Sequence, residues 1–169
     1  MITPQHAQTM ARYNRWMNEK IYAVCDQLTD EARKQDCGAF FRSVHSTLNH
    51  LIWGDYMWLG RFAQGMPHAK DYPKAAMGID LYDDWNTLKA ARIAMDAEIL
   101  SWAATLDADW LARDFTWYSG VTKSMRTKPA WLLVTHLFNH QTHHRGQVTT
   151  LLSQHGIDPG DTDLMLMPD

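Results

Sequence analysis

Apolar residues recur at intervals of three and four along four stretches of the chain, the period expected of helices with one buried face. Ala7, Met10, Ala11, Trp16, Met17, Ile21, Val24, Cys25 and Leu28 predict a first helix over about 4–28, with Thr3 as N-cap and Pro4 at the first helical position. Phe41, Val44, Leu48, Leu51, Ile52, Asp55, Trp58, Leu59 and Phe62 predict a second over about 40–64. Leu81, Trp85, Leu88, Ala91, Met95, Ile99 and Trp102 predict a third over about 81–106, opened by Asp80, Asp83 and Asp84, which suit the positive end of a helix. Leu133, Leu137, Val148, Leu151 and Leu152 carry a last helix that Pro129 starts and Gly156 ends.

Between these stripes the pattern breaks. Thr29 to Glu31 begins a turn or a short helical piece, followed by a polar connection to Gly38. The run from Gly65 to Gly78, with Pro67 and Pro73, predicts a long loop, a feature that is often functional in compact domains. Residues 115–118 and 121–125 are β-prone and flank Ser119-Gly120, so they predict a hairpin. The expected fold is all-α: a four-helix bundle with a short hairpin-like insertion before the last helix, in one domain spanning 1–169.

Composition narrows the functional classes. Eight tryptophans and ten methionines point to a core or pocket of large, adaptable side chains. A formal net charge of -3 supplies no electrostatic reason to bind nucleic acid or an anionic membrane. Cys25 and Cys37 form no CxxC motif and no disulfide framework, so they are read as free thiols. The N-terminal residues lack the pattern of a signal peptide, no apolar run is long enough to span a membrane, and a cytoplasmic protein is expected.

The chemistry concentrates in HLFNHQTHHRGQVTTLLSQHG, residues 136–156, which holds five of the nine histidines. Residues four apart on a helix share a face, so His136 with His140, or His140 with His144, each form half of a metal site. Spacing does not choose between the pairs. HSTLNHLIWGDYMW, residues 45–58, offers His45 and His50 as donors for the other half. Asp55 lies on the apolar face of the same stretch and needs a partner there. A salt bridge or surface exposure accounts for it more simply than contact with a ligand imidazole.

The segments YNRWMN at 13–18, HSTLNHLIW at 45–53, FTWYSG at 115–120, PAWLLVTHLFNH at 129–140 and HHRGQ at 143–147 resemble the DinB family of small bacterial metal-binding proteins. The resemblance spans nearly the whole chain, and HHRGQ is its most specific part. It implies metal ligands at His50, His140 and His144. His136 becomes a neighbour that lines the pocket or serves the structure, and His143 points away. His45 lies off the His50 face, and His6, His68 and His155 are expected in solvent. Gly146 is expected to admit a close approach, and Asn49, Arg145 and Gln147 to orient ligands or partners.

Three imidazoles leave a coordination position open, as catalytic metals require, and nitrogen donors suit zinc, nickel, copper or iron, of which zinc or nickel is the expected ion. By resemblance the first functional expectation is transfer of a low-molecular-weight thiol of the glutathione, bacillithiol or mycothiol type to a small electrophile. Trp53, Trp16 or Tyr56 would line the pocket, and the loop at 65–78 would cover it. The alternatives are a hydrolase using a metal-bound hydroxide, with Asp55 as candidate base, and a non-catalytic stress-response protein that binds a metal or ligand. The resemblance also implies a homodimer.

Overall fold

Local capping decides where each helix starts, and the result differs in detail from the apolar stripes. The computed structural model describes residues 1–63 and 70–168. In α1, Pro4–Cys25, the Thr3 hydroxyl accepts the His6 amide at 3.1 Å. The chain leaves the helix at Cys25 rather than 28, and a short α2, Asp30–Lys34, follows under a Thr29 cap. The next long helix, α3, is Val44–Phe62 and starts after Phe40 and Phe41, because Ser43 accepts the Ser46 amide as N-cap. Residues 37–43 instead make a tight turn. The Cys37 amide donates to Arg42 O and the Arg42 amide to Ala39 O, with Arg42 in the left-handed region at φ 69°.

Asp84 caps α4, Trp85–Thr105, and leaves 81–84 outside the helix. A short α5, Ala108–Ala112, which periodicity does not announce, is capped by Asp107. The hairpin pairs β1, Asp114–Ser119, with β2, Ser124–Pro129, antiparallel. Its turn covers 120–123 rather than 119–120, so the second strand lies further along the chain than the β-prone residues suggest. The last helix, α6, is Ala130–Gln154, with Gly156 just past its end at φ 72°. Gln64, residues 65–69 of the expected loop, and His68 lie outside the described residues.

The fold is an all-α four-helix bundle with a two-stranded hairpin before the last helix. Each of α1 and α3 packs on both α4 and α6, so the four long helices form a square with α1 and α3 on a diagonal. Cross-helix pairs give the directions. His50 meets His140 and Trp58 meets His136, so α3 and α6 are antiparallel. Asp55 meets Arg92 and Phe62 meets Trp102, so α3 and α4 run the same way. A parallel pair obliges the connection to travel back along a helix roughly 28 Å long, which explains the long segment between α3 and α4. Met17, Ile21, Leu48, Ile52, Leu88, Ile99, Leu137 and Leu152 fill the centre. Phe62, Trp102, Trp110 and Phe115 close the end that carries the hairpin.

Candidate metal centre

The antiparallel pairing of α3 with α6 brings His50 opposite the turn that bears His140 and His144. One ring nitrogen from each of the three lies within 4.8 Å of the others, and the two Nε2 atoms of His50 and His140 are 3.0 Å apart. Nitrogens around a tetrahedral zinc ion at about 2.0–2.1 Å are separated by roughly 3.3 Å, so small ring movements bring this triad to coordination distance. Burial, with the neighbouring His144 second, lowers the His50 pKa to about 4. Burial followed by the surrounding histidines lowers His140 to about 3. His144 is lowered by burial as well, against the pull of its Gln147 hydrogen bond. All three are neutral near pH 7, the state in which imidazole is a metal ligand. In the metal-free protein one of the His50 and His140 rings shares a proton with the other across their 3.0 Å contact, and once that proton is displaced the converging nitrogens form a donor set that fits a divalent metal.

Neighbouring residues set the rings. His144 Nδ1–H donates to Gln147 Oε1 at 2.6 Å, which leaves Nε2 for the centre. The Phe41 ring, delivered by the turn before α3, stacks on His50 at 3.8 Å and meets the edge of His144. Gly54, one turn after His50, makes room for His140: a Cβ there would lie 2.7 Å from His140 Cε1. Gly54 and Phe41 are the residues that sequence reasoning missed. A glycine inside an apolar helix, four residues from a histidine, is the one local signal that marks a close helix approach.

Several expected neighbours lie elsewhere. Asp55, the candidate base, is fully buried, and its carboxylate pairs with Arg92 at 2.6 Å on the opposite side of α3. That is the salt bridge which the burial argument favours, and it removes Asp55 from the site. Arg145 turns inward to Asn14, and Asn49 fastens the α3–α4 connection by exchanging hydrogen bonds with the Tyr82 backbone. His45 is buried, with Nε2 2.9 Å from Tyr82 O. Nothing lies within 4 Å of a Cβ added at Gly146, so no close approach occurs there. His6 is exposed, whereas His155 is half-buried with Nε2 3.6 Å from Cys37 Sγ. Both cysteines are free. His136 is exposed outside the triad, its ring against Trp58, and His143 packs edge-on against His144.

A cavity of about 950 Å³ opens above the triad. Phe41, Trp53, Met57, Trp58 and Trp117 form apolar walls, and Phe40, Met77 and Val121 reach its rim from three separate connections. Of the aromatic residues expected to line it, Trp53 does, Tyr56 belongs to an adjoining cavity, and Trp16 packs on Tyr13 of its own helix. Met77 belongs to the loop expected as a cover, and Trp53 Nε1–H donates to Ala75 O there at 2.9 Å. The polar lining consists of the histidines, Arg61, Gln147 and Ser119, with no carboxylate among the described residues. No described helix is long and apolar enough to cross a membrane.

Comparison with known proteins places this architecture. The family model described as the DinB family matches residues 1–169. Protein DinB of Bacillus subtilis (strain 168) is 25% identical over 158 residues, covering 89% of this chain and 87% of the relative. The crystal structure of a DinB-like protein from Bacillus cereus ATCC 10987 superposes with a TM-score of 0.59 at 21% identity. It covers 86% of this chain and 89% of that one, and it shares the fold.

Proposed function

The chain belongs to the DinB family, and on that premise we propose that His50, His140 and His144 hold one divalent metal ion, zinc or nickel, in a thiol S-transferase. The cosubstrate is a low-molecular-weight thiol, and the acceptor is a small apolar electrophile held in the cavity above the triad. The observation that carries this reading is the pairing of three neutral imidazoles with an aromatic cavity that contains no carboxylate among the described residues. A bound metal lowers the pKa of a coordinated water as well as of a thiol, so the nucleophile alone does not separate the two reactions. A hydrolase would also draw on a general acid to protonate its leaving group, and Asp55 is paired elsewhere; the aromatic walls instead suit an apolar electrophile.

The protein's own part is positioning. Gln147 holds the His144 ring, Gly54 admits His140, and Trp53, Trp58 and Trp117 exclude water around an apolar acceptor. In the overall reaction the thiol proton passes to solvent. A sulfur lone pair forms the new S–C bond, and the leaving group departs with its bonding electrons.

Elemental analysis of untagged protein tests the metal, with the triple variant His50→Ala, His140→Ala, His144→Ala as control. The expected result is about one ion per chain in the wild type and none in a variant that keeps its helical signal. Transfer of glutathione or bacillithiol to an aromatic electrophile, lost on chelation and restored by zinc or nickel, supports the enzyme. A loaded protein inert toward every thiol and electrophile leaves the non-catalytic binding reading in its place.

A further inference from the structure

Arg61, in the last turn of α3, lines the cavity above the triad and also an adjoining cavity of about 460 Å³, and the two share Trp53 and Met57 as a common wall. Among the described residues nothing compensates its charge. In the adjoining cavity Lys70 pairs with Glu98 at 3.0 Å and Lys74 with Asp71 at 2.7 Å, whereas Arg61 has no acidic partner among the described residues. The guanidinium is half-buried, and the loss of water around it lowers its pKa. It lies over the face of Trp58, 4.7 Å from the ring centre, and the same ring packs on His136. Held over an indole face, and with no side-chain hydrogen bond among the described residues, the guanidinium keeps its N–H groups for a ligand, and a guanidinium fork can receive a carboxylate with two parallel hydrogen bonds.

We propose that Arg61 is a specificity-determining residue that binds a carboxylate of the substrate while the sulfur of the same molecule lies at the histidine triad. This rests on the transferase reading for the identity of the ligand, but the anion site stands on Arg61 and its two cavities. Arg61 follows His50 by eleven positions, roughly 16 Å along a helix. Its side chain leans back toward the N-terminus, so anion and sulfur are separated by roughly 10 Å, the span of about three extended residues. The substrate class is therefore an anionic, peptide-sized thiol. Glutathione and bacillithiol carry carboxylates and meet that requirement. Mycothiol, a neutral sugar thiol, does not.

The test compares S-methylglutathione with its dimethyl ester by titration calorimetry. Neither has a free thiol, so the measurement reads the anion site apart from the metal. Wild-type protein is expected to bind the acid about tenfold more tightly than the ester, as a charge-assisted hydrogen bond provides. The preference should persist after chelation, vanish in Arg61→Met, and survive in part in Arg61→Lys, which keeps the charge without the fork. Equal affinities in the wild type, no saturable binding of the acid, or an unchanged preference in Arg61→Met overturns the proposal. A wild type that carries no metal and transfers no thiol, yet keeps the acid preference, overturns the transferase reading and leaves the anion site standing.

Discussion

Two buried polar clusters share α3 and α6, and they are built on opposite terms. In one, Arg92 donates to Asp55 at 2.6 Å and reaches Asp96 at 2.9 Å. Asn14 and Asn18 add hydrogen bonds to Asp96, and Arg145 donates to Asn14. Two arginines meet two aspartates, and the charges cancel within the bundle. In the other, His50, His140 and His144 turn neutral nitrogens toward one another beneath an open cavity, and no charged partner meets them among the described residues. Gln141 and Arg145 each follow a triad histidine by one residue, about 100° around the helix, and so one helix serves both clusters. Opposite charges buried together hold helices to one another. Neutral nitrogens converging beneath an open cavity form a place for a cation.

The largest contrast is expected from removing the centre of each cluster. Arg92→Met leaves two buried carboxylates without a counter-ion and should lower stability by roughly 3–5 kcal/mol in urea unfolding. The triple histidine-to-alanine variant removes no counter-ion, so it should keep the metal-free bundle folded with a smaller loss than Arg92→Met while losing all metal. If the histidine variant unfolds and Arg92→Met does not, the two clusters have been assigned the wrong way round.

Next in size is Gly54→Ala. On propensity alone it should stabilise α3 by about 0.5–1 kcal/mol, yet its Cβ collides with His140. Metal affinity measured by competition with a chelator should fall by at least tenfold, and wild-type affinity would mean that His140 is not a ligand. Gln147→Leu, which removes the partner of His144 Nδ1, should weaken metal binding roughly 10- to 100-fold without moving the unfolding midpoint of the metal-free protein.

In pH the two clusters should respond with opposite signs. Burial raises the Asp96 pKa to about 6, against the opposing pull of Arg92. A folded pKa above the unfolded one stabilises at low pH, and that stability is lost as pH rises through about 6. His50 and His140 titrate in the fold near 4 and 3, below the usual histidine value. Their contribution to the metal-free chain is present above about 6.5 and is lost as pH falls toward those values. Asp96→Asn should flatten the first slope and His50→Asn with His140→Asn the second. Urea midpoints between pH 4 and 7 read both, and slopes of the same sign would contradict this account.

Much of this was legible in residue order. The four helices follow from stripes of period 3.6, and Thr3, Pro129 and Gly156 mark helix ends through chemistry that acts within a few residues, whereas the Asp84 cap starts α4 later than its stripe suggests. The start of α3 was not legible, because Phe40 and Phe41 continue the apolar pattern while Ser43 sets the cap. Short α5 has too few residues to show a period.

For the site, spacing along α6 determined that His140 shares a face with both His136 and His144, but periodicity within one helix carries no information about which face meets which neighbour. That required the antiparallel packing of α3 on α6, which selects His50 with 140 and 144 and leaves His136 outside. The same packing sends Asp55 to Arg92 and gives Gly54 its purpose. Helix positions and histidine faces are local properties, determined by backbone geometry within a turn or two. The convergence of three imidazoles under one cavity depends on side chains ninety residues apart in the chain, and only tertiary packing decides it.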